Sequence, residues 1–377
     1  MRLFARKALL PSGWQQEVCI EIAGDAITGL SRSPQADYSV DLLVPGLFDL
    51  HNHGGDGYDA GQRSLSDLRR FLDAMFACGV TDMLMTLSTG DPAKLRDDLQ
   101  FVREAMRLQQ DGKLGGTRIQ GVHMEGPFLS PKRPGAMVAS QLLMPDIDRF
   151  QSLFGTSLDL IREVTLAPEL PGAAALAAWL QNQGIRVQAG HTDASYEQAC
   201  EAFAAGIDSV CHTFNASRGI HHREPGVLTA ALLDPSVFCE AICDLNHLHP
   251  AIIRLIYQAK GPDRMLLVSD STMPTHCPDG VYQAANHPVI VKNGVKRTPE
   301  GALSGGSCYL DQSVRNLAAL QIPLDDVFNM ASRTPAARMR LPRLGSIRIG
   351  QLAHLAGYSD DLAPALSVCG EGQVAVS

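Results

Sequence analysis

Apolar and polar positions along this 377-residue chain change their period near residue 45. Before that point they alternate in short runs, LFARKALL and then EVCIEIAGDAITGLS with a Gly-Asp turn inside it, a pattern that predicts a hairpin-rich β unit. From VPGLFDLHNH onward, short apolar runs follow longer, alanine-rich stretches of helical spacing. SDLRRFLDAMFACG leads into VTDMLMTLST, AALAAWLQNQG into IRVQAGH, and YEQACEAFAAG into IDSVCH. Strands alternating with helices are βα units, and a succession of them builds a parallel sheet.

The runs at 47–51, 80–87, 118–125, 162–169, 186–191, 209–212, 239–245 and 265–270 read as strands. Eight such strands predict an α/β fold of the (β/α)8 TIM-barrel type. Near the C-terminus LGSIRIGQLAHLAGYS returns to short strands and turns. The simplest assembly is a small β-sandwich made from both termini, residues 1–44 and 345–377, with the barrel of 45–344 inserted between them. A doubly wound open sheet is the alternative, but no GxGxxG and no P-loop accompanies the crossovers.

Composition narrows the class. With 45% hydrophobic residues, 34 Gly and 22 Pro, the chain reads as a globular enzyme rather than a disordered or fibrous protein. Its nine cysteines are odd in number and scattered, without a CxxC pair, and read as reduced thiols. The balance of 32 basic and 40 acidic side chains, with no basic run, argues against a nucleic-acid partner. A small anion held by a local Arg and His cluster stays open. No apolar run approaches a membrane span and MRLFARKALLPSGW lacks a secretory core, so the expected compartment is the cytoplasm.

The strand ends carry the chemistry. His51 and His53 close the first strand, His123 and Glu125 the third, His191 the fifth, His212 the sixth and Asp270 the eighth. Side chains two apart on a strand share a face, so each pair can point into the barrel mouth, where catalytic groups of this architecture gather. Imidazoles and carboxylates converging there suit a divalent cation such as Zn²⁺, Mn²⁺ or Fe²⁺. Taken singly, each residue has a blander reading. HxH is common by chance in turns, His191 in AGHTDAS would cap a helix, His212 would be a satisfied core histidine, and Asp270 in VSDST would cap a turn. That reading needs independent strands to end in His or carboxylate by coincidence.

These motifs resemble the amidohydrolase superfamily and, within it, the N-acetylglucosamine-6-phosphate deacetylase family. The resemblance runs through PGLFDLHNHGG, GVHMEGPFLSPKRPGAM, AGHTDASYEQACEAFAAGIDSVCHTFNAS, HHREPG, LVSDSTMP, ASRTPAARMRL and GSIRIGQLAHL. The N-terminal stretch also resembles the N-acetylgalactosamine-6-phosphate branch. By this resemblance Glu125, His191 and His212 hold the principal divalent ion, zinc foremost, with iron, manganese or cobalt as alternatives. His51 and His53 match a second metal site that is filled in some members and not in others, so one or two ions are implied. Asp270 matches the catalytic aspartate. Asn215, the backbone of Ala216, Arg223 and His247 match positions that hold the amino-sugar phosphate substrate, with Arg223 reaching across a homodimer into the neighbouring subunit. Implied is hydrolysis of the N-acetyl amide of an N-acetylhexosamine 6-phosphate.

Several positions depart from the family pattern. Met137 stands where a histidine usually follows Gly-Ala, and a thioether cannot donate a hydrogen bond. Leu245 replaces a glycine, which adds bulk where a positive φ is at stake. Ser217 and the Ser269–Thr272 stretch differ from the usual FNAM and TDAM, and His354 replaces an aspartate. The metal and base residues stay intact while the walls change, which points to retained hydrolysis with an altered acyl or sugar preference. A cyclic-amide hydrolase is disfavoured because the fourth strand ends TLAPE, without the lysine that bridges two metals in those enzymes. A deaminase lacks its motifs here. A non-catalytic sugar-phosphate sensor has no need of Asp270.

Overall fold

The computed structural model describes residues 1–284 and 288–376. Eight parallel strands follow one another round a barrel in chain order: Leu47–Asp49, Val80–Leu87, Arg118–Glu125, Ile161–Leu166, Arg186–Ala189, Ser209–Val210, Phe238–Ile242 and Met265–Val268. The second strand, VTDMLMTL, is buried along its whole length, as expected of a strand covered on both faces. The covering helices show why they form where they do. Leu65–Ala77 starts on Ser64, whose hydroxyl accepts the Asp67 amide, and buries Leu68, Phe71, Leu72, Met75 and Phe76 along one stripe. Tyr196–Ala204 opens with a reciprocal Ser195–Gln198 capping box.

The seam between the first and eighth strands is closed by side chains as well as backbone. The His51 carbonyl accepts the Asp270 amide at 2.9 Å, and the His53 amide donates to the Ser271 carbonyl at 2.8 Å. Below them the buried Asp49 carboxylate accepts the Ser269 hydroxyl at 2.5 Å, the Ser269 amide at 3.1 Å and the Asn52 side-chain amide at 3.2 Å. Burial pushes the Asp49 carboxyl up to about 6 against these donors. Ser269 therefore supplies the hydroxyl that the seam requires.

Both termini contribute to a separate seven-stranded sheet. Arg2–Leu10, Gly13–Ala23, Ala26–Ser31 and Tyr38–Pro45 come from the front of the chain, and His354–Tyr358, Pro364–Cys369 and Val374–Val376 from the back. They enclose an apolar cluster of their own that includes Leu3, Ile20, Leu43, Leu355 and Val368. His354 sits at the junction with the barrel, its Nδ1 at 2.9 Å from Asp82 of the second barrel strand. An aspartate there would face Asp82 with like charge, so His354 replaces repulsion with an ion pair. The strands Gly280–Gln283, Pro288–Lys292 and Val295–Arg297 form a small antiparallel arm to which the sequence reading assigned no element. Its signal was the Asn293-Gly294 turn, both residues at positive φ (52° and 72°).

The barrel interior is filled, and at its N-terminal end it is plugged by a charge. Arg338, on the last helix, is fully buried with Nη2 at 2.5 Å from Glu163 and 3.1 Å from Asp208. Removing one member of a buried pair strands the other. Arg338→Met should lower unfolding stability by about 3–5 kcal/mol in urea titrations, and Glu163→Leu added to it should recover most of the loss. A single variant within 1 kcal/mol of the parent would remove the plug from the account of stability.

Candidate active site

At the opposite end of the barrel the predicted strand-end residues meet. Glu125 Oε1 lies 3.1 Å from His191 Nε2 and 3.0 Å from His212 Nε2, and the two imidazole nitrogens are 3.2 Å apart. A second triangle joins His51 Nε2, His53 Nε2 and Asp270 Oδ1, with sides of 3.2, 3.5 and 3.4 Å. Glu125 spans both, because its Oε2 is 3.2 Å from His53 Nε2. Ligands bonded at about 2.0–2.1 Å in a tetrahedral shell lie roughly 3.3 Å apart. Both triangles therefore fit a divalent cation of zinc size.

What stands behind the imidazoles turns them toward the centre. His51 Nδ1 is 3.2 Å from Glu240 Oε2, His53 Nδ1 is 3.1 Å from Ser88 Oγ, and His191 Nδ1 is 3.1 Å from the Arg133 carbonyl. Engaging Nδ1 leaves Nε2 directed at the ligand position. Cys211 Sγ, 3.6 Å from the same His51 Nδ1, belongs to this rear support rather than to a third triangle. Glu240, fully buried, was missed from the sequence. Its signal is a lone carboxylate inside the apolar run VFCEAIC. Burial opposes its charge, yet the His51 hydrogen bond holds it down to about 2. His123, in contrast, turns into the barrel interior against Thr86 and Thr165. Burial and the neighbouring His51 push it well below the ordinary imidazole range, so it is neutral packing.

The backbone is strained where the side chains act. His191, His212, Ala216 and Asp270 take φ of 46°, 24°, 45° and 46°, a region L-residues occupy at a cost of about 1–3 kcal/mol each. Leu245 is also left-handed, at 64°, so the positive φ persists without glycine. Its side chain is 42% exposed and lies outside the cavity lining.

A cavity of about 350 Å³ opens over the two triangles. His53, Glu125, His191, His212 and Asp270 line its floor, while Asn215, Ala216, His247 and Met137 line its walls. His247 is fixed by Asp244, whose Oδ2 is 2.9 Å from its Nδ1. Arg223 is not brought to this cavity. It is exposed, and its guanidinium donates to His222 Nε2 at 2.7 Å.

Residues 42–360 match the model of the amidohydrolase family, and residues 1–37 that of the N-terminal domain of formimidoylglutamate deiminase. N-acetylglucosamine-6-phosphate deacetylase of Vibrio furnissii is 33% identical over 95% of this chain and 91% of its own. N-acetylgalactosamine-6-phosphate deacetylase of Escherichia coli O157:H7 is 32% identical over 96% and 95%. The chain belongs to the N-acetylglucosamine-6-phosphate deacetylase family of amidohydrolases. In fold it is similar to N-acetyl-D-glucosamine-6-phosphate deacetylase of Mycobacterium smegmatis, solved as a point mutant in complex with N-acetyl-D-glucosamine-6-phosphate. That match has a TM-score of 0.92 and 31% identity and covers 100% of this chain and 99% of the other. Members of this family are hydrolases of amide bonds, so the protein is an enzyme of that class. Among the described residues no helix is long and apolar enough to cross a membrane.

Protons compete with a cation for the second triangle. Burial works against charge on His53, but hydrogen bonds to Asp270 and Glu125 pull it up to about 9. Burial also works against charge on His51, but Cys211, Glu125 and Asp270 raise it well above the ordinary imidazole range, so a cation entering there displaces protons from both rings. Its affinity should rise at least about tenfold per pH unit from 7 to 9. Calorimetric titration with zinc over this range checks the slope, and a flat profile would show that His53 is not displaced.

Proposed function

We propose that this enzyme hydrolyses the N-acetyl amide of an N-acetylhexosamine 6-phosphate to acetate and the free amino-sugar phosphate. The observation that carries the reading is the pair of triangles sharing Glu125 beneath a cavity walled by Asn215, Ala216 and His247. Glu125, His191 and His212 hold the principal ion, zinc first, and His51, His53 and Asp270 offer a second position. A divalent cation there supplies Lewis acidity and a lowered pKa for water.

The remaining steps belong to the chain's own groups. Burial opposes the charge on Asp270, but the surrounding imidazoles hold its carboxyl well below the usual range, so it is ionised at neutral pH. Asp270 takes a proton from the attacking water and returns it to the amide nitrogen as the C–N bond breaks. That transfer matters because an amine leaves far more readily than its anion. Asn215 and the Ala216 backbone orient the sugar, and His247, held by Asp244, donates toward the phosphate.

Arg223, exposed and absent from its own cavity, is assigned to the cavity of a second copy in a homodimer, where its planar fork pairs with phosphate. The compartment that fits a phosphorylated substrate, which does not cross membranes unaided, is the cytoplasm.

Acetate release from N-acetylglucosamine and N-acetylgalactosamine 6-phosphate, with metal content determined on the same sample, tests the reading. Release should stop on chelation and return with zinc. Asp270→Asn should lower kcat by about 10²–10⁴ while sparing ligand binding, and Arg223→Met should raise KM with kcat little changed. Full turnover in Asp270→Asn would remove Asp270 as the proton carrier, and no release from either sugar by metal-loaded enzyme would overturn the function.

A further inference from the structure

The cavity is also lined by the loop Asp59–Gly61, which follows the first barrel strand, and by the first turns of the helix Pro92–Gln110, which follows the second. This part of the lining presents Asp59, Lys94 and Asp98. These groups converge on one point. A Cβ on Gly61 would lie 2.5 Å from Lys94 Nζ, 3.1 Å from Asp59 Oδ1 and 3.8 Å from Asp98 Oδ2.

Their hydrogen bonds are incompletely used. Lys94 Nζ donates to the Gly61 carbonyl and to Asp98 Oδ2, both at 2.9 Å. An ammonium carries three donors, so one remains, on a side chain that is 41% exposed. Asp59 spends Oδ1 on the Gly61 amide at 2.8 Å, and its Oδ2 is left to accept. Asp98 is 1% exposed and its Oδ1 receives no hydrogen bond, Arg63 Nε standing 3.7 Å away. Asp98 thus anchors Lys94 from behind, while Lys94 and Asp59 offer one donor and one acceptor.

We propose that this end of the cavity is a subsite for the N-acyl chain and takes a short acyl group ending in a hydroxyl. The inference rests on the function proposed above. With the sugar and phosphate against Asn215, Ala216 and His247, beyond the sixth and seventh strands, and the amide over the two triangles, the acyl chain points to the opposite wall. The segments that follow the first three barrel strands supply that side of the lining: Asp59, then Ser88–Gly90 with Lys94, then Met137. Met137 Sδ, 3.6 Å from Thr89 Oγ1, makes a flexible side of this passage where an imidazole would present a polar edge.

A hydroxyl accepts from the spare Lys94 N–H and donates to Asp59. A carboxylate would meet two acids, and an alkyl end would cover polar groups without pairing them.

The test compares N-hydroxyacetyl with N-propionyl hexosamine 6-phosphate, which exchange a hydroxyl for a methyl. Binding is measured by calorimetry on the zinc-loaded Asp270→Asn protein, so the result reads whether or not the wild type turns over. The hydroxyacetyl compound should bind at least about tenfold tighter. Adding Lys94→Met, or separately Asp59→Asn, should bring the two within threefold while N-acetyl affinity moves less than threefold, with thermal melting confirming that each variant folds.

Equal affinity in the parent protein overturns the subsite. So does a loss shared equally by acetyl and hydroxyacetyl compounds, which would make Lys94 a structural staple, and so does a loss that disappears with the non-phosphorylated sugars, which would make it a phosphate contact. A wild type that releases no acetate yet keeps the hydroxyacetyl preference would count against the proposed function alone.

Discussion

Glu125 and Asp270 are carboxylates buried among imidazoles, and the active end of the barrel is organised around their demand for positive charge. In the absence of a cation that demand falls on protons, which is why His53 is drawn far above its ordinary pKa despite burial. A metal ion meets the same demand with two units of charge and fixed ligand directions. The shared position of Glu125 makes the two triangles one electrostatic unit, so what enters one alters the charge felt by the other.

This unit exists only because the barrel closes. His51 and Asp270 come from the first and last strands, and the bond between their backbones is also the seam of the barrel. Asp49, Asn52, Ser269 and Ser271 lie just beneath, linked by hydrogen bonds, so closure of the fold and registration of the ligands rest on the same few residues. The left-handed backbone at His191, His212 and Asp270 is strain held in place by this scaffold. Glu240 extends the support downward, fixing both the His51 ring and the His212 amide.

The walls obey looser rules than the floor. Met137 and Leu245 both depart from the family pattern, yet neither is among the groups that form the ligand triangles: Met137 packs by Thr89, and Leu245 keeps a left-handed turn facing solvent. Departures of this sort leave the groups that do the chemistry undisturbed, and of the two only Met137 lines the cavity. His354 is different, because its meaning lies in a partner, Asp82, on another strand.

Periodicity along the chain was enough to place the eight barrel strands, since a buried parallel strand must read as a short apolar run and its covering helix as an amphipathic one. The strand-end positions of His51, His53, Glu125, His191, His212 and Asp270 were legible for the same reason: strand geometry places them at one mouth. The chain alone left His123 ambiguous beside Glu125, because alternation sets a face and not a depth, and the structure turns it into the packed interior. Glu240 escaped notice because its role is defined by His51, 189 positions away. The Asn293-Gly294 hairpin was readable but passed over, since eight βα units already accounted for the chain. Which imidazole nitrogen faces the centre, how Glu125 spans two triangles, and where Lys94 and Asp59 meet are matters of distance between remote segments, and only closure of the barrel sets those distances.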